Sequence, residues 1–234
     1  MSTDAPFPSQ TAEPRLTVAL CSLPVDAAQG LDHALKHLPP ALLPGIQRYR
    51  RVEDRLARAA ARLMLRAMLR RLGHHGAASL EGWRNDPGGR PFLEGRPADF
   101  SISHSGRWVG LAIGQQLRVG LDLEERRPVA LKDFAHILTP AEQARIATAP
   151  DPASALLLAW CLREAVLKAD GTGFILPDAA IRAIGDGHFP SGRHWETRAL
   201  ARPEGCLALA TDRPAAIEAW QELSWADILA GGAA

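Results

Sequence analysis

Hydrophobic periodicity predicts two long amphipathic helices, one in each half of the chain. Between residues 52 and 72, apolar residues recur at intervals of three and four, so they line one face of a helix. A second run of helix formers spans residues 152–170. Along this run, Trp160, Glu164 and Lys168 are one turn apart and share one face. Apolar side chains occupy the opposite face, which is expected to meet a hydrophobic core.

Short segments of alternating polarity predict the strands. In residues 119–124, apolar side chains alternate with Asp122 and Glu124, so both carboxylates lie on one face of the strand. Residues 99–103 and 108–113 come before it after short turns, and the three segments together suggest an antiparallel meander. The other predicted strands are residues 16–23, 179–184, 195–201 and 206–210. Shorter helices are predicted at residues 27–38, 131–138, 140–147 and 214–229.

The order of these elements predicts an α+β fold with two similar subdomains. Each half places a long helix before short strands, so each is expected to pack a small, mainly antiparallel sheet against its own helix. We place the N-terminal subdomain at residues 15–117 and the C-terminal subdomain at residues 118–234. Residues 1–14 are polar and contain several prolines, and we expect a flexible tail there.

Composition and charge narrow the class of protein. The chain has 234 residues, of which 47% are hydrophobic and 23% charged, as in an ordinary globular protein. A formal net charge of +1 argues against nucleic acid or an anionic membrane as the main partner. Cys21, Cys161 and Cys206 are widely spaced in apolar contexts, which predicts buried thiols in a reducing compartment. The N-terminus lacks a signal-peptide pattern and no apolar run approaches about 18 residues, so a cytoplasmic protein is expected.

The two carboxylates of the 119–124 strand are candidate ligands for a divalent cation. Side chains two residues apart on a strand face are separated by roughly 6.5–7 Å, a distance that Asp122 and Glu124 can close around one ion. Mg²⁺ prefers oxygen ligands and usually leaves positions open for water and phosphate. Glu164 supplies a third carboxylate if its helix packs beside the strand. The alternatives are a solvated acidic strand end and a surface ion pair between Glu164 and Lys168.

Arginines cover the polar face of the first long helix. Two interpretations stay open: a solvated basic face, or a surface that binds a phosphorylated ligand or an acidic protein. The arginines on this face are Arg55, Arg58, Arg62, Arg66 and Arg70, and Arg48, Arg50 and Arg51 come just before the helix.

Four motifs occur in the order found in a known enzyme family. They are Gly89-Arg-Pro91, Phe100-Ser-Ile-Ser-His-Ser-Gly106, Gly120-Leu-Asp-Leu-Glu124, and Trp160-Cys-Leu-Arg-Glu-Ala-Val-Leu-Lys168 with Gly171 and Gly173 after it. Together they resemble the motifs of the 4′-phosphopantetheinyl transferases, in particular the larger, surfactin-synthetase-activating type. The chain departs from the usual pattern by having Arg90 and Arg163 in place of lysine and Ser101 in place of asparagine. None of these departures removes a carboxylate.

The resemblance implies a reaction. It is the transfer of 4′-phosphopantetheine from coenzyme A to a serine of an acyl or peptidyl carrier protein, which releases adenosine 3′,5′-bisphosphate. Mg²⁺ held by Asp122, Glu124 and Glu164 would stabilise charge on the pyrophosphate. Asp122, Glu164 and Lys168 would be the catalytic residues. Glu164, directly or through a water molecule, would accept the serine proton, and Lys168 would meet the phosphate as a compact cation. The carrier would serve fatty-acid, polyketide or peptide assembly, and these three possibilities stay open.

The resemblance also implies which residues bind coenzyme A. They are Gly89, Arg90, Pro91, Ser103 and His104. Arg50 and Arg58 of the basic segment are candidate partners for the 3′-phosphate of coenzyme A. Taken alone, a histidine in a strand turn such as His104 is more often an ordinary surface residue than a ligand. Ser103 and His104 do not form a Ser–His dyad, because neighbouring residues of a strand point to opposite faces. Trp160 is expected to serve in packing.

The length of the chain bears on its assembly. Shorter relatives of this family build their sites between subunits, whereas a chain with both halves can place the whole site in the cleft between them. The resemblance therefore implies a monomer with pseudo-two-fold symmetry and one active site. Two rival functions use part of the same features: a Mg²⁺-dependent phosphotransferase acting on a small molecule, and a non-catalytic module that binds coenzyme A or a carrier protein.

Overall fold

The computed structural model of the protein describes residues 13–172 and 176–231. The predicted N-terminal tail, apart from its last two residues, and Gly173 of the fourth motif lie outside the described residues. None of the described helices is both long enough and apolar enough to cross a membrane.

Four strands form the first sheet, in the order β4-β5-β1-β9. Their bounds are Arg15–Ser22 for β1, Asp99–Ser105 for β4, Trp108–Gln115 for β5 and Ile217–Leu223 for β9. β4, β5 and β1 are antiparallel neighbours, whereas β9 lies parallel to β1. Because β9 comes from the end of the chain, the first sheet draws on both halves of the sequence.

The first long helix, α3 (Val52–Arg71), packs against this sheet. Its apolar stripe is buried with side chains of β1, β4 and β5 in one hydrophobic cluster. α1 (Ala27–Leu35) and α2 (Leu43–Gln47) also contact α3. The helix predicted at residues 52–72 is therefore confirmed, and burial of its amphipathic stripe is the main source of its stability.

Three strands form the second sheet, in the order β6-β8-β7, with both pairs antiparallel. They are β6 (Val119–Glu125), β7 (Glu196–Arg202) and β8 (Gly205–Thr211). The second long helix, α6 (Pro152–Asp170), packs on β6 and β8. Its bounds coincide with the predicted ones. Asp151 caps its N-terminus, and Gly171, at φ 81°, ends it in the left-handed conformation that glycine adopts without strain.

Gly120 allows α6 to approach β6 closely. A Cβ atom at this position would lie 1.9 Å from the carbonyl oxygen of Ala165. Any larger residue would therefore push the helix away from the strand. The close approach brings the strand that carries Asp122 against the helix that carries Glu164 and Lys168.

The remaining elements are short. A hairpin of β2 (Trp83–Asn85) and β3 (Pro91–Leu93) lies between α3 and β4 in the chain. The other described helices are α4 (Leu131–Phe134), α5 (Pro140–Ala147), α7 (Asp178–Ala183) and α8 (Trp225–Ala230). Short 3₁₀ turns occur at Pro40–Leu42, Ala77–Ser79, Ala135–Ile137 and Ile184–Asp186. A capping box of Thr139 and Glu142 starts α5 at the predicted residue.

Three sequence predictions of local structure are wrong. Residues 179–184 form α7 and the start of a 3₁₀ turn, because the buried Ile181 and Ile184 are three residues apart and share one helical face. Residues 214–229 form β9 and α8 in place of one helix, because pairing with β1 overrides the helical propensity of the segment. The 119–124 strand does not complete a meander, since β6 pairs with β8 in the other sheet.

The two sheets meet where β4 lies beside β6, and side chains of β4 take the place of main-chain pairing. Asp99 Oδ2 accepts a hydrogen bond from the Val119 amide at 2.8 Å. Ser101 Oγ accepts one from the Leu121 amide at 2.9 Å. These bonds satisfy buried main-chain donors at the edge of β6. The fold is thus α+β with two subdomains, each a small, mainly antiparallel sheet with a long helix.

The division between the subdomains follows the chain with one exception. The predicted boundary between residues 117 and 118 falls in the turn between β5 and β6. β9 and α8, which the prediction assigned to the second subdomain, pack with the first, because β9 pairs with β1 and α8 contacts α3. Pseudo-two-fold symmetry stays a prediction.

The three cysteines are buried free thiols, as predicted from their apolar contexts. Cys161 on α6 and Cys206 on β8 lie in the core of the second subdomain with their sulfur atoms 3.2 Å apart. The hydrogen bond with Cys206 and burial raise the pKa of the Cys161 thiol. Both cysteines therefore act as small apolar residues in this core.

Candidate functional site

A cleft of about 630 Å³ opens where the two subdomains meet, lined by residues of α2, α3, β2, β3, β4, β6 and α6. It brings together most of the residues predicted from the sequence. Those in its lining are Arg58, Gly89, Pro91, Ser103, His104, Asp122, Glu124, Glu164 and Lys168. Arg50 lies outside this lining as an exposed residue of the segment before α3.

Three carboxylates form the acidic wall of the cleft. Asp122 and Glu124 come from β6 and Glu164 from α6. Asp122 is only 4% exposed and Glu164 only 6%. Burial, followed by the negative charges of Asp122 and Glu124, raises the pKa of Glu164 to about 8, although Lys168 acts in the opposite direction.

The acidic wall has the donor chemistry of a site for a hard divalent cation. Such ions prefer carboxylate oxygens, and a cation would offset both the burial of the Glu164 carboxylate and its repulsion by Asp122, which together raise its pKa. The Asp122 Oδ2 atom is buried without a hydrogen-bond partner, so it is available as a ligand. Within residues 13–172 and 176–231, no group of three or more His, Cys, Asp or Glu side chains is arranged to hold a metal ion. The assignment to Asp122, Glu124 and Glu164 therefore stays a prediction, which requires their side chains to converge.

Lys168 crosses from α6 to β6. Its Nζ atom donates hydrogen bonds to Asp122 Oδ1 at 2.8 Å and to Ser103 Oγ at 2.9 Å. Ser103 Oγ in turn donates to Asp122 Oδ1 at 2.8 Å. Lys168 thus forms its ion pair with the Asp122 carboxylate of β6, in place of the surface ion pair with Glu164 that the sequence left open.

Two side chains orient Glu124. Ser105 Oγ donates a hydrogen bond to Glu124 Oε2 at 2.8 Å, and Trp160 Nε1 donates one to Glu124 Oε1 at 3.2 Å. Trp160 also packs edge-on against Phe134, at 5.4 Å between ring centroids, so the predicted packing role accounts for part of its contacts. Sequence reasoning missed Ser105. Its signal was the polar residue at every second position of β4, which indicated a polar face turned toward another strand.

Arginines on α3 form the basic wall of the cleft. The Arg58 guanidinium lies 3.7 Å from the ring centroid of Tyr49, and that of Arg62 lies 4.5 Å from the ring of Trp83. The Nε atoms of both arginines are buried without a hydrogen-bond partner. Burial and the charge of Arg58 lower the pKa of Arg62 to about 10. An anion in the cleft would relieve this unfavourable gathering of positive charge.

The rest of the arginine face of α3 is structural. Arg66 is buried and donates to the carbonyl oxygens of His37 and Ala78. Arg70 donates to the carbonyl oxygen of Gly231 near the end of the described chain. The structure therefore shows neither a uniformly solvated face nor a uniform binding surface, because Arg58 and Arg62 line the cleft whereas Arg66 and Arg70 bind main-chain carbonyl oxygens. Binding of an anion by Arg58 and Arg62 stays a prediction.

His104 lies in the cleft between the basic and acidic walls. Burial, followed by the charges of Arg58 and Lys168, lowers its pKa below the ordinary histidine value. The imidazole is therefore neutral at pH 7, and it can donate a hydrogen bond to an anion without carrying a charge of its own.

The Gly89-Arg90-Pro91 motif is divided between two surroundings. Gly89 and Pro91 line the cleft, as predicted. The Arg90 guanidinium instead forms a buried ion pair with Asp99, at 2.6 Å, and donates to the carbonyl oxygen of Lys168 at 2.8 Å. The structure therefore places the Arg90 side chain in the joint between the subdomains and outside the lining of the cleft.

Arg163, which replaces the usual lysine of the motif, is also a structural residue. It is fully buried and forms an ion pair with Glu142 of α5 at 2.6 Å. Although burial opposes the change, the hydrogen bonds from Arg163 and Thr139 lower the pKa of Glu142. The pair holds α5 against the helix that carries Glu164.

Two family models match successive parts of the chain. The 4′-phosphopantetheinyl transferase superfamily matches residues 118–204, and the N-terminal region of the 4′-phosphopantetheinyl transferases matches residues 26–116. The two matches adjoin at the turn between β5 and β6, which is also where the two subdomains divide.

Individual relatives carry the same enzyme name. A protein of Haemophilus influenzae named "Putative 4′-phosphopantetheinyl transferase" is 32% identical over 157 residues, which cover 61% of this chain and 65% of that protein. A 4′-phosphopantetheinyl transferase of Bacillus subtilis is 30% identical over 43% of this chain and 46% of its own length. The 4′-phosphopantetheinyl transferase Sfp of Bacillus subtilis strain 168 is 30% identical over 38% of this chain and 41% of its own length. The matched part is thus less than two thirds of the length of each relative.

The fold, the residues of the cleft and the sequence comparisons all point to the same enzyme family. The two family matches cover most of the chain between them, and each falls on one subdomain. The cleft at their junction gathers residues from all four sequence motifs. The chain belongs to the 4′-phosphopantetheinyl transferase superfamily, in the form that holds two subdomains in one chain.

Proposed function

We propose that this protein transfers 4′-phosphopantetheine from coenzyme A to a serine hydroxyl of an acyl or peptidyl carrier protein, with Mg²⁺, and releases adenosine 3′,5′-bisphosphate. The observation that carries this proposal is the division of the cleft into a basic wall and an acidic wall. Arg58 and Arg62 line the cavity from α3, and Asp122, Glu164 and Lys168 line it from β6 and α6. A ligand that bears several phosphates and reacts at one of them fits such a division.

The basic wall supplies the charge that binds coenzyme A. Its guanidinium groups lie on aromatic rings, so they are held in place before the ligand arrives. Their buried Nε atoms gain acceptors when phosphate oxygens enter. Neutral His104 adds a hydrogen bond, while Gly89 and Pro91 supply an uncharged part of the lining for the nucleoside end.

The reaction forms one bond to phosphorus and breaks another. The carrier serine oxygen attacks the β-phosphorus of the coenzyme A pyrophosphate, and its proton passes to the Glu164 carboxylate. The bond from that phosphorus to the bridging oxygen breaks, and adenosine 3′,5′-bisphosphate leaves with the bridging oxygen. In the metal-free protein, burial and the charge of Asp122 raise the pKa of Glu164, so this carboxylate takes up a proton more readily than an exposed one.

Lys168 stabilises the negative charge that develops on the phosphates during transfer. The Lys168 ammonium lies within hydrogen-bond distance of Asp122 and is about one third exposed, so it can also reach a phosphate oxygen in the cleft. Mg²⁺ bound by Asp122, Glu124 and Glu164 would supply further neutralisation of the pyrophosphate charge. Ser103 and Ser105 hold Asp122 and Glu124 in orientation, as the hydrogen-bond partners of metal-binding carboxylates commonly do.

Intact-protein mass spectrometry of a carrier protein tests the proposal. Wild-type protein is incubated with Mg²⁺, coenzyme A and an apo acyl carrier protein, and in parallel with an apo peptidyl carrier protein. We expect at least one carrier to gain a single phosphopantetheine mass, and a carrier whose acceptor serine is replaced by alanine to gain none. A phosphotransferase acting on small molecules would leave both carriers unmodified, and so would a module that only binds coenzyme A or the carrier. Either outcome would contradict the proposal.

A further inference from the structure

We propose that Arg90 is a positioning residue, which fixes Lys168 and the start of β6 in relation to each other and does not contact the ligand. The inference rests on the proposed transfer reaction, because it concerns the residues that carry out that reaction. It goes beyond the family motif, in which this position lies beside the ligand.

The Arg90 guanidinium binds three elements at once. Its two terminal nitrogens donate to the Asp99 carboxylate of β4 at 2.8 and 2.6 Å, and both side chains are less than 10% exposed. Nη2 also donates to the carbonyl oxygen of Val119, the first residue of β6, at 2.9 Å. Nε donates to the carbonyl oxygen of Lys168 on α6 at 2.8 Å. One side chain thus joins both subdomains.

The pair of Arg90 and Asp99 holds Val119 from both sides of its main chain. Asp99 Oδ2 accepts from the Val119 amide at 2.8 Å, while Arg90 donates to the Val119 carbonyl oxygen. The two side chains therefore replace the neighbouring strand that β6 lacks on this edge. Val119 is three residues before Asp122, so this contact fixes the strand on which Asp122 lies.

The same guanidinium holds the backbone of Lys168. The last carbonyl oxygens of a helix have no partner within the helix, and positive charge is favourable at that end. Arg90 binds the carbonyl oxygen of Lys168, and Arg118 binds those of Ala169 and Asp170 at 2.5 and 3.1 Å. Arg90 is therefore connected to both members of the Lys168–Asp122 ion pair, one through its carbonyl oxygen and the other through its strand.

This role explains the arginine of the Gly-Arg-Pro motif. A planar guanidinium can bind a carboxylate with two nitrogens and still donate to two carbonyl oxygens, which an ammonium with three donors on one atom cannot do. Gly89 and Pro91, on either side of Arg90, line the cleft, whereas the Arg90 side chain lies in the joint.

Kinetic and binding measurements on Arg90→Lys test the inference. A misplaced catalytic group lowers the rate of the chemical step more than the affinity for substrate, so we expect kcat to fall by at least about 10-fold. The dissociation constant of coenzyme A, measured by calorimetry, should stay within about 2-fold of wild type. Arg118→Lys is the matched control, because the Arg118 guanidinium binds the carbonyl oxygens of Ala169 and Asp170 at the same helix end, and it should leave kcat within about 2-fold.

A second variant and a second readout keep the test decisive. Asp99→Asn removes the other half of the pair, and the effects of Arg90→Lys and Asp99→Asn on kcat should be far from additive in the double variant. Amide hydrogen exchange at Val119 should be faster in Arg90→Lys than in Arg118→Lys, and this measurement does not depend on the reaction. If the wild-type protein modified no carrier, the proposed function would be contradicted. The hydrogen-exchange measurement at Val119 would still test the positioning role, because it does not use the reaction. Unchanged exchange at Val119, or a loss of coenzyme A affinity of 10-fold or more with kcat retained, would overturn the positioning role.

Discussion

At the scale of single residues, the cleft is lined by one of the three lysines of the chain, Lys168. The chain has 27 basic residues, and its three lysines are Lys36, Lys132 and Lys168. Lys36 and Lys132 are exposed, whereas Lys168 donates to both Asp122 and Ser103. A compact ammonium fits between two acceptors on neighbouring strands, where a planar guanidinium would need a different approach.

Substitution of Lys168 should affect the chemical step more than the binding of coenzyme A. Lys168→Ala is expected to lower kcat by at least about 10²-fold, the usual cost of losing one preorganised charge in an active site, with a smaller change in the KM for coenzyme A. Lys168→Arg should recover part of this loss, and Lys132→Ala, at an exposed position, should behave as wild type. Steady-state kinetics with a saturating carrier protein measure all three. A normal kcat with a raised KM in Lys168→Ala would make Lys168 a binding residue only.

Glu164 should make the stability of the metal-free protein depend on pH. Its pKa is raised from the ordinary 4.5 to about 8, so between these values the folded protein holds a proton that the unfolded chain releases. Stability due to this group is therefore complete below about pH 4.5 and is lost as the pH rises toward about 8. Glu164→Gln has no ionisable group at this position. In EDTA, the Tm of Glu164→Gln minus the Tm of wild type should therefore increase between about pH 5 and about pH 8.5. A Tm difference that is the same at both pH values would contradict the raised pKa.

At the scale of secondary-structure elements, the contact between β6 and α6 determines the site. Gly120 permits this contact, and the side chains of Asp122 and Lys168 meet across it. α6 is buried more completely than its amphipathic pattern predicts, because the polar Arg163 and Glu164 are buried along with its apolar face. The polar residues of this helix are therefore engaged in the protein interior and in the cleft.

Gly120→Ala tests whether the close approach matters. The added Cβ atom would lie 1.9 Å from the Ala165 carbonyl oxygen, which is backbone and can move only with the helix. We expect a loss of about 1–3 kcal/mol in unfolding free energy and a fall in kcat, because α6 and β6 must separate. Gly76→Ala is the control, since a Cβ atom there meets nothing within 4 Å. Denaturant unfolding gives both free energies, and a Gly120→Ala protein as stable and active as wild type would contradict the packing argument.

Sequence patterns predicted the elements better than the contacts between them. α3 and α6 were predicted from periodicity, and the caps at Asp151 and Gly171 follow local rules. The segment at 214–229 was predicted wrongly because its pairing partner, β1, lies some 200 residues away in the chain. The four motifs predicted the residues of the cleft, whereas the roles of Arg90 and Arg163 depend on partners that no local spacing reveals.

At the scale of the whole molecule, one chain supplies both walls of the cleft. The basic wall comes from α3 in the first subdomain, and the acidic wall comes from β6 and α6 in the second. β9 runs from the second subdomain back into the first sheet and pairs with β1, so the subdomains are joined by a strand as well as by the β4–β6 contact. Such a connection limits the movement of the basic wall relative to the acidic wall.

We therefore predict a monomer with one complete site. Light scattering at working concentration should give the mass of one chain, about 25.2 kDa. A mixture of the inactive variants Asp122→Ala and Lys168→Ala should have no more activity than either alone, because each chain would lack part of its own site. Recovery of activity in the mixture would show a site shared between chains and would contradict this arrangement.

The central claim is that the cleft transfers phosphopantetheine to a carrier serine. The most direct measurement is the stoichiometry of the two products, with modified carrier counted by intact-protein mass spectrometry and adenosine 3′,5′-bisphosphate by chromatography of the same sample. We predict equal amounts of the two with wild-type protein and with Asp133→Ala, an exposed acidic residue outside the cleft. With Asp122→Ala, both products should form more slowly by at least about 10²-fold. Bisphosphate released without modified carrier, or equal rates for Asp122→Ala and Asp133→Ala, would contradict the claim.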